Sequence, residues 1–435
     1  MKKIGLLLLL LMGVFIVFSC DTKPESNFTV DFSYEINDGN MVHFSNTSEG
    51  EYYSMTWDFG NGELISTTDK NEIIEMYYPL AGSYNVTLKL GDYLGNTENT
   101  TKVITLDNND LVVSFTAEVD AEDLNTVNLV NTSEGSFDSF TWKYRKKEIE
   151  GLNDFAAYFP FSGNYQVELE LIKGSFTASA TQSITIAQND PDYLDKLILT
   201  WSDEFDGPEI NPANWTYETG AGGWGNNELQ EYTNGFNAEI VDGILILTAK
   251  KLNENKTAGS YTSTRMITRN KNEFTYGNME IRAKLPSGTG IWPAIWMLGS
   301  NISQVSWPKC GEIDIMEYVG YEPNIIHATV HTLSGSAGEG DGSSKTLATC
   351  EEEFHIYGLN WTEEEMVFYT DSPSNVTHIY NPDSKTDATW PFDLPQFFIL
   401  NVAVGGDWGG ALGIDNTIFP QSMEIDYIKV FQEPN

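Results

Sequence analysis

The chain is short of basic residues, cysteine, long apolar runs and helical periodicity. Lysine and arginine total 24 against 63 aspartates and glutamates, a formal net charge of -39 over 435 residues. Such a surface repels nucleic acid and sulfated or carboxylated polymers, and leaves a neutral polymer as a compatible partner. Only three cysteines occur, and none is placed to act as a nucleophile. The one long apolar run, residues 4–18, is short for a membrane span, and no other stretch could cross a bilayer. No strong period of 3.6 appears, so a helical architecture is not expected.

What is present is strand-like. Runs at 239–250, 276–285 and 354–371 alternate in period two between Gly-rich connections, the pattern of half-buried antiparallel strands. The length suits two or three domains. An internal repeat occupies the first half. Asn46-Thr47-Ser48-Glu49-Gly50 recurs as Asn131-Thr132-Ser133-Glu134-Gly135, and Trp57 recurs as Trp142. Gly82-Ser83-Tyr84-Asn85-Val86-Thr87-Leu88 recurs as Gly163-Asn164-Tyr165-Gln166-Val167-Glu168-Leu169. Each unit reads as an immunoglobulin-like sandwich. Trp57-Asp58-Phe59-Gly60-Asn61-Gly62 makes the first resemble a PKD domain, whereas the second carries Trp142-Lys143-Tyr144-Arg145 there. No exposed aromatic triplet marks either as a sugar binder, so both are expected to be spacers.

The N-terminus has the layout of an export signal. Lys2 and Lys3 precede the apolar run, which ends at Val17-Phe18-Ser19-Cys20-Asp21. This resembles a bacterial lipoprotein cleavage site, with Cys20 as the lipidated first residue of the mature chain. The implied location is an exported lipoprotein held by a lipid anchor in a membrane, at the outer membrane or cell surface. Cys310 and Cys350 then remain as a candidate disulfide. The expected organisation is a signal peptide at 1–19, a tether at 20–26, a PKD-like domain at 27–107, a second PKD-like or immunoglobulin-like domain at 108–187, a linker at 188–196 and a larger all-β domain at 197–435.

The most unusual stretch in that last domain is Gly311-Glu312-Ile313-Asp314-Ile315-Met316-Glu317-Tyr318. Three carboxylates stand within six residues of an otherwise apolar strand, where acids are disfavoured and repel one another. Side chains alternate along a strand, so Glu312 and Asp314 share a face and Glu317 falls on the other. One extra residue at Ile315-Met316, a β-bulge, would return Glu317 to their face. Glu312 and Glu317 would then be on the order of 13 Å apart at Cα. Their side chains can close that to roughly the 5–5.5 Å used in double displacement at a sugar. A calcium cluster or a chance acidic edge strand is the bland alternative, but calcium loops are irregular and rich in Gly, Asn and Asp, whereas this stretch is apolar and strand-like.

These residues resemble the active-site signature of glycoside hydrolase family 16, in the bulged form of its laminarinases. Further matches follow in order, among them Trp201-Ser202-Asp203-Glu204-Phe205-Asp206-Gly207, Gly225-Asn226-Asn227-Glu228-Leu229-Gln230, Gly290-Ile291-Trp292-Pro293-Ala294-Ile295-Trp296-Met297 and Ile425-Asp426-Tyr427. The resemblance implies a β-jelly-roll sandwich with the cleft on one face. It makes Glu312 the nucleophile, Glu317 the general acid/base and Asp314 the residue that tunes Glu312. It places Trp292, Trp296, Arg265 and Asn227 on the donor side, with Trp224, Glu228 and Gln230 as weaker donor-side members. His331 is implied near the carboxylates, and His327 is read as structural. On a strand these two histidines are about 13 Å apart and cannot share a metal. The Gly/Ser-rich segment 334–345 is expected to be a mobile loop on the acceptor side. A structural calcium is implied at Asp426 and the Gly243 backbone, with Glu204 nearby, and no cofactor for catalysis.

The expected activity is an endo-acting, retaining attack on internal β-1,3 linkages of a neutral polysaccharide such as laminarin, by a monomer. Mixed-linkage glucan, β-galactan, agarose and mucin glycans stay open as substrates. So does a non-catalytic glycan-capture lipoprotein, although all three carboxylates are retained.

Overall fold

The computed structural model describes residues 26–174, 176–252 and 260–434. Cys20 and the segment 1–19 expected to be a signal peptide lie outside them. The chain divides into two compact units, Met1–Pro191 and Asp192–Asn435. Strands dominate both. Among the described residues the only α-helix is the four-residue turn Ile302–Val305, and no helix is long and apolar enough to cross a membrane.

The first unit holds two sandwiches of the same design. In the first, Phe32–Ile36, Met41–Asn46 and Ile73–Tyr77 form one sheet; Leu64–Thr67, Ser54–Asp58, Gly82–Gly91 and Thr97–Leu106 form the other. The second repeats this with Phe115–Val119, Thr126–Asn131 and Asp154–Tyr158 facing a four-stranded sheet that ends in Gly163–Lys173 and Phe176–Ile186. The repeated tryptophans explain the shared core. Trp57 packs on Phe32 and Trp142 on Phe115, each pair with centroids 5.2 Å apart and rings steeply crossed. Edge-to-face pairs of this kind add ~0.5–1.5 kcal/mol beyond area burial. The second sandwich therefore forms although it lacks the Asp-Phe-Gly-Asn-Gly turn. Arg145 and Lys146, at φ 44° and 57°, make the hairpin there.

The second unit is a β jelly roll of two packed sheets, antiparallel except where Gln230–Tyr232 pairs parallel with Tyr261–Ser263. The sheet that carries the cleft contains Thr216–Tyr217 (β1), Arg265–Ile267 (β2), Ile291–Gly299 (β3), Glu312–Tyr318 (β4), Ile325–His331 (β5), Asp341–Thr346 (β6) and Gln396–Val404 (β7), in the spatial order β1-β2-β7-β3-β4-β5-β6. The other sheet centres on Gln421–Gln432 between Ile244–Lys251 and Gly277–Lys284. Alternation assigns the faces. Ile291, Ile295 and Met297 of β3, Ile326, Ala328 and Val330 of β5, and Phe398, Leu400, Val402 and Val404 of β7 enter one core between the sheets. Each large aliphatic side chain so buried contributes ~1.5–3 kcal/mol.

Three expectations change. The runs 239–250 and 354–371 are hairpins, not single strands. Asp242 and Gly243, both at positive φ, turn the first, and the Thr362-Glu363-Glu364-Glu365 connection turns the second. The supposed loop 334–345 is half strand: β6 pairs with β5 from Val330↔Asp341 to Ile325↔Thr346. Small residues suit it to that edge, since a Cβ on Gly342 would meet the Ala328 carbonyl oxygen at 2.7 Å. Cys310 and Cys350 form no disulfide. Both thiols are free and buried, Cys310 in a side cluster with Leu298, Phe397 and Ile399, Cys350 in the main core with Tyr318 and Tyr357. They belong to different packing clusters, and burial pushes both thiols up to about 11. Neither should react with maleimide in the native chain, and both should react in denaturant without any reductant. A thiol that reacts only after reduction would restore the bridge.

Candidate active site

The bulge lies in β4. Against β3, Asp314 pairs with Trp296 and Met316 with Ile295, which leaves Ile315 without a partner; against β5 the register shifts between Asp314 and Glu317. Ile313, Ile315 and Met316 go into the core, and Glu312, Asp314 and Glu317 all line one cleft of about 990 Å³. The apolar residues between the acids thus hold the strand down by burial while the bulge collects the acids above it.

The three carboxyls crowd one another. Asp314 is only 3% exposed. His331 Nε2 stands 3.3 Å from Asp314 Oδ2, without hydrogen-bond alignment, and 3.7 Å from Glu312 Oε1. Burial, then repulsion from Asp314, pushes Glu317 up to about 8, while Trp292 Nε1 donates to its Oε1 at 3.1 Å and pulls the other way. Burial also lifts Asp314 to about 8. Glu312 goes well above the usual carboxylate range through burial and the charges of Asp314 and Glu317, opposed by His331 and an N–H bond from Trp307. A buried cluster that shares protons in this way supplies both an acid and a base.

One flank of the cleft is aromatic and tightly braced. The Arg265 guanidinium lies between Trp224 and Trp296, 5.0 and 4.7 Å from their centroids, and its Nε donates to Glu218 at 2.6 Å. Trp296 Nε1 donates to Asn401 at 2.7 Å, Asn401 Nδ2 to the Tyr232 hydroxyl at 3.0 Å, and that hydroxyl to Glu228 at 3.3 Å. Burial raises the Glu228 carboxyl, and Gln230 and Asn226 donate to it. Gln230 is wholly buried and serves this network rather than the cleft. The opposite flank, β5 and β6, shows small groups: Thr329, Gly340, Gly342, Ser343 and Ser344.

Asn227 does not line the cleft. Its positive φ of 55° turns the side chain to the rim, where it donates to Asp407 at 2.9 Å, and Asn226 faces the cleft instead. His327, read as structural, does line it, 4.9 Å from the Trp408 ring and 3.5 Å from Glu322. Trp307 and Trp408 were missed altogether. A tryptophan bracketed as Gly405-Gly406-Asp407-Trp408-Gly409-Gly410 suits no strand interior, and that pattern was the available signal. Of the residues the resemblance implies for a structural calcium, Asp426 is paired with Arg282 and Glu204 with Lys429, and the Asp206 carboxylate lies beside Gly243. Among the described residues the group that gathers with metal-like spacing is Glu312, Asp314 and His331, within 4.8 Å. It is the carboxylate cluster itself.

Similarity to known proteins follows the same division. Residues 226–429 match glycosyl hydrolases family 16, and residues 27–105 match the PKD domain. A β-glucanase of Rhodothermus marinus is 43% identical over 246 residues, covering 54% of this chain and 85% of the relative. A glucan endo-1,3-β-glucosidase of Cryptopygus antarcticus is 35% identical, covering 53% and 91%. The crystal structure of laminarinase from Flavobacterium sp. UMI-01 superposes with a TM-score of 0.51 at 47% identity, covering 54% of this chain and 100% of that one.

The raised carboxyls set a pH dependence of stability. The native chain keeps protons that the unfolded chain releases from 3.8 and 4.5 upward, so this contribution is complete below that range and is lost as pH climbs toward about 8. Glu312→Gln should therefore melt higher than the parent at pH 9, by on the order of 1–3 kcal/mol, and show little difference at pH 4. Equal gains at both pH values would mean the cluster is not charge-strained.

Proposed function

The chain belongs to glycosyl hydrolases family 16, and from that premise we propose that it cleaves internal β-1,3 linkages of a neutral β-glucan with retention of configuration. The bulge at Ile315 carries this reading, because it is what sets Glu312, Asp314 and Glu317 on one face of one cleft. Glu317 starts protonated, as its raised carboxyl favours, and gives its proton to the leaving glycosidic oxygen. Glu312 attacks the anomeric carbon and forms a glycosyl ester. The proton that Glu312 must shed has Asp314 and His331 beside it. Glu317, now a carboxylate, takes a proton from water, and that water opens the ester to return the same anomer. No cofactor is required.

The braced flank of Arg265, Trp224, Trp292 and Trp296 serves the donor sugars, since neutral glucose rings present apolar faces to aromatics and hydroxyls to guanidinium. The cleft is open along the sheet, which suits attack within a chain. A monomeric lipoprotein anchored through Cys20 at the outer membrane or cell surface completes the proposal. It is supported by the basic, apolar and Cys-terminated leader.

Glu312→Gln and Glu317→Gln should each lose several orders of magnitude in kcat, about what loss of a nucleophile or a proton donor costs, with folding unchanged by circular dichroism. Azide should partly rescue only the Glu317 variant on an activated substrate. Proton NMR should find the β-anomer first, and an initial α-anomer overturns retention. For the parent enzyme kcat/KM should fall as pH rises past about 8, where Glu317 loses its proton. On laminarin, mixed-linkage glucan, agarose and mucin glycans, laminarin should give the highest efficiency; cleavage of a galactose-based polymer with laminarin untouched would move the substrate while keeping the family.

A further inference from the structure

The hairpin tip 91–97 of the first sandwich displays apolar groups that nothing in the catalytic reading uses. Tyr93 is 87% exposed, Leu94 66% and Tyr53 41%. The two tyrosine rings stack 4.2 Å apart at 14°. The tip is not loose. Asp92 Oδ1 accepts from the backbone N–H of Leu94 and Asn96, and its Oδ2 from Asn96 Nδ2. The exposure is therefore built in, at a cost that an apolar patch normally avoids unless something covers it.

Two further observations say what covers it. The first is the repeat. The equivalent hairpin of the second sandwich, Gly163–Lys173 with Phe176–Ile186, sets Phe176 against Tyr78 and Tyr84 of the first, at 6.4 and 6.3 Å. In this tandem the hairpin tip of the second sandwich reaches back to the domain that precedes it. For the first sandwich, what precedes is the tether. The second observation is where the described chain starts. Ser26 Oγ donates to Glu98, opposite Leu90 at the base of the hairpin; Asn27 accepts from Glu51 N–H; and Tyr53 N–H donates to Gly91. Ser26 and Asn27 thus lie at the end of the sandwich that bears the tip. Six peptide steps separate Ser26 from Cys20, at most about 21 Å of chain.

We propose that Tyr53, Tyr93 and Leu94 form a membrane-resting foot that seats the first sandwich on a zwitterionic lipid surface. The proposal rests on the Cys20 anchor only for bringing this end to the bilayer. Stacked tyrosines suit the headgroup level, where an aromatic body and a polar hydroxyl are both satisfied. Two or three apolar side chains bind a bilayer only weakly by themselves, so the foot orients a tethered protein rather than recruiting a free one. The neighbouring acids Glu51, Asp92 and Glu98 select against anionic headgroups.

The test uses the full chain in two forms. One is the acylated protein purified from membranes. The other carries Cys20→Ser and an N-terminal histidine tag held on a nickel-chelating lipid, which supplies an anchor whatever the cell does to Cys20. Because Cys310 and Cys350 are buried, a fluorophore on Leu94→Cys is site-selective. In phosphatidylcholine vesicles with brominated upper acyl chains, it should be quenched at least about twofold more than the same fluorophore on Leu152→Cys of the second sandwich. Tyr53→Ser with Tyr93→Ser should abolish the difference, and phosphatidylglycerol should reduce it. Equal quenching at both positions in the tagged form overturns the foot. Quenching in the tagged form while the natural protein fails to float with vesicles keeps the foot and removes the Cys20 anchor. A fluorophore shift with soluble β-glucan and no vesicles would make the patch a sugar platform and end the membrane assignment.

Discussion

Everything in the cleft depends on one costly arrangement: three carboxyls held together where water cannot fully solvate them. Left to themselves, Glu312, Asp314 and Glu317 would part. They stay because the residues between them, Ile313, Ile315 and Met316, are buried in the core beneath β4. Hydrophobic burial on one side of the strand pays for electrostatic strain on the other. The strain is useful because it raises the proton affinity of a carboxyl that must act as an acid near neutral pH.

The same division runs across the whole sheet. Period-two alternation sends one set of side chains into the sandwich and the other into the cleft, so packing and chemistry are written in alternate residues of the same strands. The aromatic flank is braced from below. Glu218 holds Arg265, and the chain from Trp296 through Asn401 and Tyr232 to Glu228 satisfies polar groups that burial would otherwise leave costly. The β5–β6 flank is held by Ser343 against His378 and by Lys345 on the Asn375 carbonyl. The described residues that line the cleft all belong to the second unit. The constant feature of the first unit's sandwiches is a Trp–Phe pair around which the same two sheets form twice.

The sequence by itself determined the all-β architecture, the repeat, the three acids and the need for a bulge. Each of these is a matter of local periodicity or spacing along one chain. The family resemblance, rather than alternation, marked Trp292, Trp296, Arg265 and His331, and all four line the cleft. Only the tertiary structure decided the rest. The Asn227 side chain leaves the cleft because of one backbone dihedral. Residues 341–346 become strand because β5 offers them an edge. Cys310 and Cys350 stay apart because they are packed into different clusters, and Trp307 and Trp408 join the cleft from connections between strands. Periodicity reports which face a residue takes within its own element. Contacts between elements depend on how the whole core packs, and no single stretch of sequence carries that information.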